Sequence, residues 1–141
     1  MKKINHIIQY LIISFLFIIF KFIGFKASSN FGFLIGKFFG PIFRSKKSII
    51  KNLEKAKLKE NQNYEDIASN ILGNYGRIFA EYVHLKNFKN NKLNKYITIE
   101  GLEYLENIKK LKKKVVFVSG HFNNFELMAM HLEKAGIDCA A

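Results

Sequence analysis

The chain has a single cysteine, Cys139, and that scarcity excludes two architectures at once. An intramolecular disulfide framework needs a pair, and a zinc site built on thiolates needs several. One thiol with no visible activator reads as a small buried residue in a reducing, cytoplasm-facing environment. Acidic side chains are also few, 11 Asp and Glu against 23 Lys and Arg, which leaves a formal net charge of +12. That imbalance points to an anionic partner, phospholipid, nucleic acid or an acidic protein, without choosing among them. No internal repeat is visible. What is abundant is apolar material, 49% of 141 residues with 15% aromatic, so general disorder is excluded and one domain's worth of core is available.

The apolar residues are concentrated at the start. Ile7 to Phe25, IIQYLIISFLFIIFKFIGF, runs for 19 positions, close to the roughly 20 that a helix needs to cross a bilayer core. Gln9 and Ser14 are tolerable there, and Lys21 lies near an end where its stem can snorkel to the headgroups. Lys2 and Lys3 precede the segment, whereas Lys26, Lys37, Arg44, Lys46 and Lys47 follow it. The positive-inside rule then puts the C-terminal side in the cytoplasm. Residues 1–26 therefore read as a membrane anchor. Two other arrangements stay open: a helix lying in the interface, and a signal peptide cleaved near Ala27-Ser28-Ser29.

Phe31 to Phe43, FGFLIGKFFGPIF, is apolar but interrupted by Gly32, Gly36, Gly40 and Pro41, and reads as a helix against the membrane or the anchor. Arg44 to Asn61 follows as a basic helix with Ile49, Ile50 and Leu53 on one side; its charged face reads equally as a solvated surface or as a strip that meets anionic headgroups. Tyr64 to Leu85 carries Ile67, Ile71, Leu72, Tyr75, Ile78, Phe79 and Tyr82 at three- and four-residue steps, the pattern of a core helix. Past a Lys/Asn linker, Tyr96 to Glu100 alternates as a strand, Leu102 to Lys114 reads as a helix, and Val115 to Val118 as a buried strand. A helix beginning near Asn123 and a strand opening at Ile137 to Ala141 complete the pattern. Strand, helix, strand, helix, strand is the order of an α/β domain with parallel strands, and residues 27–141 are expected to be the first, incomplete part of one.

Chemistry concentrates at the end of the second predicted strand. His121 follows Ser119-Gly120, where a parallel strand would deliver side chains to a ligand-binding edge. Glu126 comes five residues later; on one continuous helix the two would stand about 140° apart, so they meet only if His121 sits in a loop and Glu126 on the helix. Asn123 or Asn124 would cap that helix, and the same letters form a capping-box pattern that accounts for Glu126 with no chemistry at all. Phe125, Met128, Ala129 and Leu132 take helical spacing and are expected in the core. His131 extends the series to H-x4-E-x4-H, but metal pairs on helices sit three or four apart, so no metal site is expected.

The stretch KKVVFVSGHFNNFELMAMHLEKAGIDCAA, with NLEKA upstream after a basic segment, closely resembles the lipid A late acyltransferases, the lauroyl and myristoyl transferases of bacterial lipopolysaccharide synthesis. Their H-x4-[DE] motif falls on His121 and Glu126. The resemblance covers essentially the whole chain and, within that family, about the first half of the domain. It implies acyl transfer from an acyl carrier protein thioester to a hydroxyl of a lipid A precursor at the cytoplasmic side of the bacterial inner membrane. His121 would be the general base and Glu126 its orienting partner, with no cofactor. Backbone N–H groups at the Asn123 helix start would stabilise the oxyanion. Ser119 is an alternative nucleophile. The lysine-rich segments would face anionic lipid, the acceptor or the acidic carrier protein. Competing readings are an acyltransferase for another glycolipid, an inactive membrane-bound fragment, and a basic nucleic-acid-binding module; the apolar anchor and the lack of a base-reading motif weigh against the last.

Overall fold

The computed structural model describes residues 2–56, 63–111, 114–120 and 123–137. The chain divides into two compact units, Met1–His84 and Leu85–Ala141.

The first unit opens with α1, Lys2–Ile23, which contains a run, Ile4–Ile23, that is long and apolar enough to cross a membrane, with a mean hydropathy of 2.1. It ends at Gly24, whose φ of 80° lies in the left-handed region that a side chain disfavours. The chain turns there directly into α2, Phe25–Phe43. The segment Phe31 to Phe43 is helical as expected, and α2 runs continuously through Gly32, Gly36, Gly40 and Pro41. Arg44 and Ser45 lead to α3, Lys46–Lys55, shorter than the basic helix expected over Arg44 to Asn61; residues 57–61 of that range lie outside the described residues. Helix α4, Tyr64–Glu81, starts where its periodicity predicts, because the Asn63 side chain accepts from the N–H groups of Glu65 and Asp66. Those two acidic residues in the first turn also suit the positive helix end.

Packing in this unit centres on α2 against α4, and small residues make it. A Cβ on Gly32 would stand 2.5 Å from the Ala80 Cβ and 2.5 Å from the Gly76 carbonyl oxygen. One on Gly36 would run into the Leu72 carbonyl oxygen and lie 2.9 Å from the Gly76 nitrogen. The two backbones are therefore in contact, an approach that only small residues at four-residue spacing permit. On α4 the buried face is Ala68, Ser69, Leu72, Gly73, Ala80 and Glu81, while Tyr75, expected in the core, is 56% exposed. Helix α3 docks on α4 through Ile49, Ala68 and Leu72, with Ile50, Leu53 and Ile71 around them. Helix α1 reaches α4 through Phe17 and Phe79, whose ring centroids are 5.0 Å apart.

A buried polar knot ties the α1–α2 turn to the end of α4. Tyr82–His84 forms a single 3-10 turn after α4, and the His84 Nε2 lies 2.9 Å from Ser28 Oγ and 3.2 Å from the Phe20 carbonyl oxygen. The Ser28 hydroxyl donates to the carbonyls of Gly24, at 2.8 Å, and Phe25, at 2.9 Å. A carbonyl only accepts, so the hydrogen bonds assign the proton to Nε2, with Ser28 Oγ as a second acceptor. Ser29 Oγ donates to Glu81 Oε1 at 2.8 Å beside them. Burial pushes the His84 imidazole below its ordinary pKa; the Phe20 carbonyl and the Glu81 charge oppose that shift without reversing it.

The second unit contains α5, Leu85–Lys89, a 3-10 turn at Asn94–Tyr96, α6, Leu102–Leu111, and α7, Glu126–Lys134. Helices α5 and α7 are joined by Lys134, whose Nζ donates to the Phe88 carbonyl at 2.7 Å and to Asn91 Oδ1 at 2.8 Å. Lys89 and Glu133 add an ion pair at 3.0 Å, exposed on both sides and so weak. Leu132 is buried, but Met128 and Ala129, expected with it in the core, are exposed. Helix α7 stops at Gly136, φ 73°, where Gly136 N–H donates to the Glu133 carbonyl and Ile137 N–H to the Leu132 carbonyl, the paired bonds of a Schellman motif.

The expected α/β domain is not found: among the described residues there is no strand and no sheet. Tyr96 belongs to a 3-10 turn, residues 97–100 and 114–120 are irregular, and Val116 and Val118 are 89% and 92% exposed. A strand exists only through a ladder to a neighbour, and a short apolar run does not specify one. Ile137, taken as a strand opening, belongs to the stop of α7, and residues 138–141 lie outside the described residues.

Two outcomes follow for stability, both measured by helical circular dichroism in detergent. Gly36→Leu should cost about 1–3 kcal/mol or more through overpacking, whereas Phe38→Ala, at a side chain that is 77% exposed, should stay within about 0.5 kcal/mol; equal effects would contradict the close contact. For His84, the folded-state pKa lies below the unfolded value of about 6.5, so the unfolded chain binds more protons as pH falls through that value. Stability should be full above pH of about 6.5 and decline below it, and His84→Gln should flatten the decline.

Candidate functional site

The segment before α7 carries the residues with which the sequence reading is concerned. His121 and Phe122 lie outside the described residues, as does Cys139. Asn123 and Asn124 form a bend, and Asn123 has a φ of 46°, a left-handed value that asparagine tolerates better than most residues. Leu127 N–H donates to the Asn124 carbonyl and Met128 N–H to the Phe125 carbonyl, closing the first turn. The helix accordingly begins at Glu126, and its cap position is Phe125, with no side-chain capping bond. Neither Asn123 nor Asn124 caps it, and there is no helix start at Asn123 to supply an oxyanion site.

Glu126 is half-buried in the first turn of α7, where its charge suits the positive helix end. The described residues just ahead of it, Asn123 and Asn124, form a bend outside α7. Ser119 is exposed, and its hydroxyl donates to the carbonyl of Gly120 at 3.2 Å. His131, on α7, is held below the usual histidine range by burial and then by the Lys134 charge. Its Nε2 is buried without a hydrogen bond, so it contributes a neutral, half-buried ring. Among the described residues no group of three His, Cys, Asp or Glu side chains is placed to hold a metal ion.

Two features of the first unit were missed by sequence reasoning. The Ser28–His84 contact has the length of a nucleophile–base pair, but Ser28 is wholly buried and its proton goes to backbone carbonyls. It fastens helices together and offers no attacking oxygen. His84 and Glu81 are two ionisable residues at the end of an otherwise apolar periodic pattern, which is the signal that was available. The second feature is an apolar groove of about 590 Å³ between α1, α2 and α4. Its floor includes Gly36, Gly40 and Gly76, positions that the sequence reading treated as interruptions or passed over.

Along its whole length, residues 1–141, the chain matches the family described as bacterial lipid A biosynthesis acyltransferase. No curated protein and no solved structure matches it. The family implies an enzyme with an acyl donor and a lipid acceptor, and the apolar helix α1 agrees with association with a membrane. A match over the full 141 residues includes the anchor-like helix, the basic segment and the H-x4-E sequence together, and on that ground the chain belongs to the bacterial lipid A biosynthesis acyltransferase family.

Proposed function

We propose that the chain transfers a fatty acyl group from an acyl carrier protein thioester to a hydroxyl of a lipid A precursor, on the cytoplasmic side of the inner membrane. The observation that carries this reading is the family match over residues 1–141. Residues 1–26 act as the anchor, and residues 27–141 carry the acyltransferase part. His121 removes the proton of the acceptor hydroxyl as that oxygen attacks the thioester carbonyl. Glu126 orients the imidazole and stabilises its protonated form. A thioester is already activated, so the hydroxyl attacks it directly and the thiolate of the carrier leaves, taking up a proton. The start of α7 at Glu126, after a bend, supports the pairing because it leaves position 121 ahead of the helix.

The basic segment suits the membrane side of this role. Lys47, Lys51 and Lys55 recur every four residues on the exposed face of α3, opposite buried Ile49 and half-buried Leu53. Such a stripe faces anionic headgroups, each lysine contributing about 1 kcal/mol near the surface.

Acyl transfer to a lipid A precursor, assayed in membranes, tests the chemistry. His121→Ala should lower the rate by about 10²–10⁴, Glu126→Gln should lower it less, and Ser119→Ala should leave it unchanged. Full activity in His121→Ala overturns the base assignment, and no transfer by the unaltered chain overturns the proposed reaction. Replacing Lys47, Lys51 and Lys55 together by Gln should weaken sedimentation with phosphatidylglycerol vesicles and reduce its salt dependence; unchanged binding removes the headgroup role.

A further inference from the structure

The groove in the first unit follows from the packing already described. Where α2 meets α4, Gly36, Gly40 and Gly76 contribute no side chains, so the contact is bottomed by backbone and a trough remains above it. Ile12 and Leu16 of α1, Ile35 and Phe39 of α2 and Phe79 of α4 build its walls. Its volume, about 590 Å³, lies in the range of sites that bind small molecules. Two lining side chains are polar, Tyr75 and Arg44, and Arg44 is the residue immediately beyond α2, at the end from which the basic helix α3 departs.

The surroundings decide what fills it. Ile12 is 55% exposed, Phe38 77% and Ile42 76%, so the helices that form the groove also present a broad apolar outer surface. A surface of this size calls for a nonaqueous neighbour. In hydrocarbon, an open apolar trough is occupied by a chain, because leaving it empty forfeits dispersion contacts along its length. A guanidinium at its end then selects the chain's headgroup, since its planar fork matches phosphate oxygens.

We propose that this groove seats one acyl tail of an anionic bilayer phospholipid whose phosphate is held by Arg44, independently of the acyl donor and acceptor. The assignment rests on the reading that α1 and the outer face of α2 lie in the membrane. Such a lipid completes the unit: it covers the side of the α2–α4 contact that protein atoms leave open, and fixes the depth of Arg44 and of the α3 lysine stripe at the membrane surface.

The test reconstitutes the full chain in phosphatidylcholine vesicles holding a trace of phosphatidylglycerol or phosphatidylethanolamine with a photoactivatable acyl tail. Cross-linked peptides are located by mass spectrometry. Phosphatidylglycerol should label Ile35, Phe39 and Phe79 ahead of the exposed Phe38 and Ile42. Ile12→Trp, which fills the groove from an exposed position, should abolish that preference while vesicle sedimentation and helicity stay unchanged. Arg44→Gln should reduce the preference for phosphatidylglycerol over phosphatidylethanolamine by about fivefold, the worth of one basic residue at an anionic surface. Labelling spread evenly over the outer faces of α1 and α2, or unaffected by both variants, overturns the proposal. Displacement of the label by acyl carrier protein thioester assigns the groove to the donor and overturns it too. Failure of the unaltered chain to sediment with vesicles overturns the membrane reading itself, a result distinct from all of these.

Discussion

The backbone contact between α2 and α4 is the constraint on which the first unit depends. Glycine in a helix interior costs about 1 kcal/mol relative to alanine, and α2 carries Gly32, Gly36 and Gly40 while α4 carries Gly73 and Gly76. That cost is offset only if the missing side chains allow something that larger residues forbid. Here they allow the two helices to touch along their backbones, with Gly32 against Gly76 and Ala80, and Gly36 against Leu72 and Gly76. The larger side chains are then displaced to the flanks. Phe33 is one such residue, with the Arg77 guanidinium 4.7 Å and the Lys37 ammonium 5.6 Å from its ring centre.

The remaining features of the unit follow from that contact. With α2 and α4 fixed, the end of α4 arrives beside the α1–α2 turn, and the Ser28–His84 and Ser29–Glu81 hydrogen bonds become possible. Buried polar groups of this kind are costly unless each finds a partner, so they also specify which ends of the helices meet. The same close approach leaves the groove beside it, because large residues stand around a floor of glycines. Stability, helix registration and a candidate lipid site therefore share one origin in residue size.

The second unit has a different logic. Its helices are short, α6 has no buried residue, and lysine hydrogen bonds join α7 to α5. Glu126 opens α7 after the Asn123 bend, and a bend of that kind lets a residue ahead of the helix approach one in its first turn. In the proposed reaction this is where acyl transfer occurs, while the first unit supplies attachment to the bilayer.

Much of this was legible in the sequence. The apolar run over Ile7 to Phe25 predicts the anchor-like helix within two residues of its end, and the periodicity after Asn63 predicts α4. The family was legible from the resemblance, with which the match over the whole chain agrees, while His121 and Glu126 are candidates by motif alone. Those signals are local: a helix is hydrogen-bonded within itself, and a motif is a matter of letters and spacing. What the sequence did not specify was pairing. Val115 to Val118 has the composition of a buried strand, but a strand is defined by a neighbour, and no ladder forms among the described residues. Gly32, Gly36 and Gly40 interrupt the apolar pattern of a segment read as a helix, and only the folded unit shows them as the places where a second helix touches. The sequence by itself determined where the helices run and which residues are candidates for chemistry; only the tertiary structure decided which faces are buried, because burial depends on the partner across the contact.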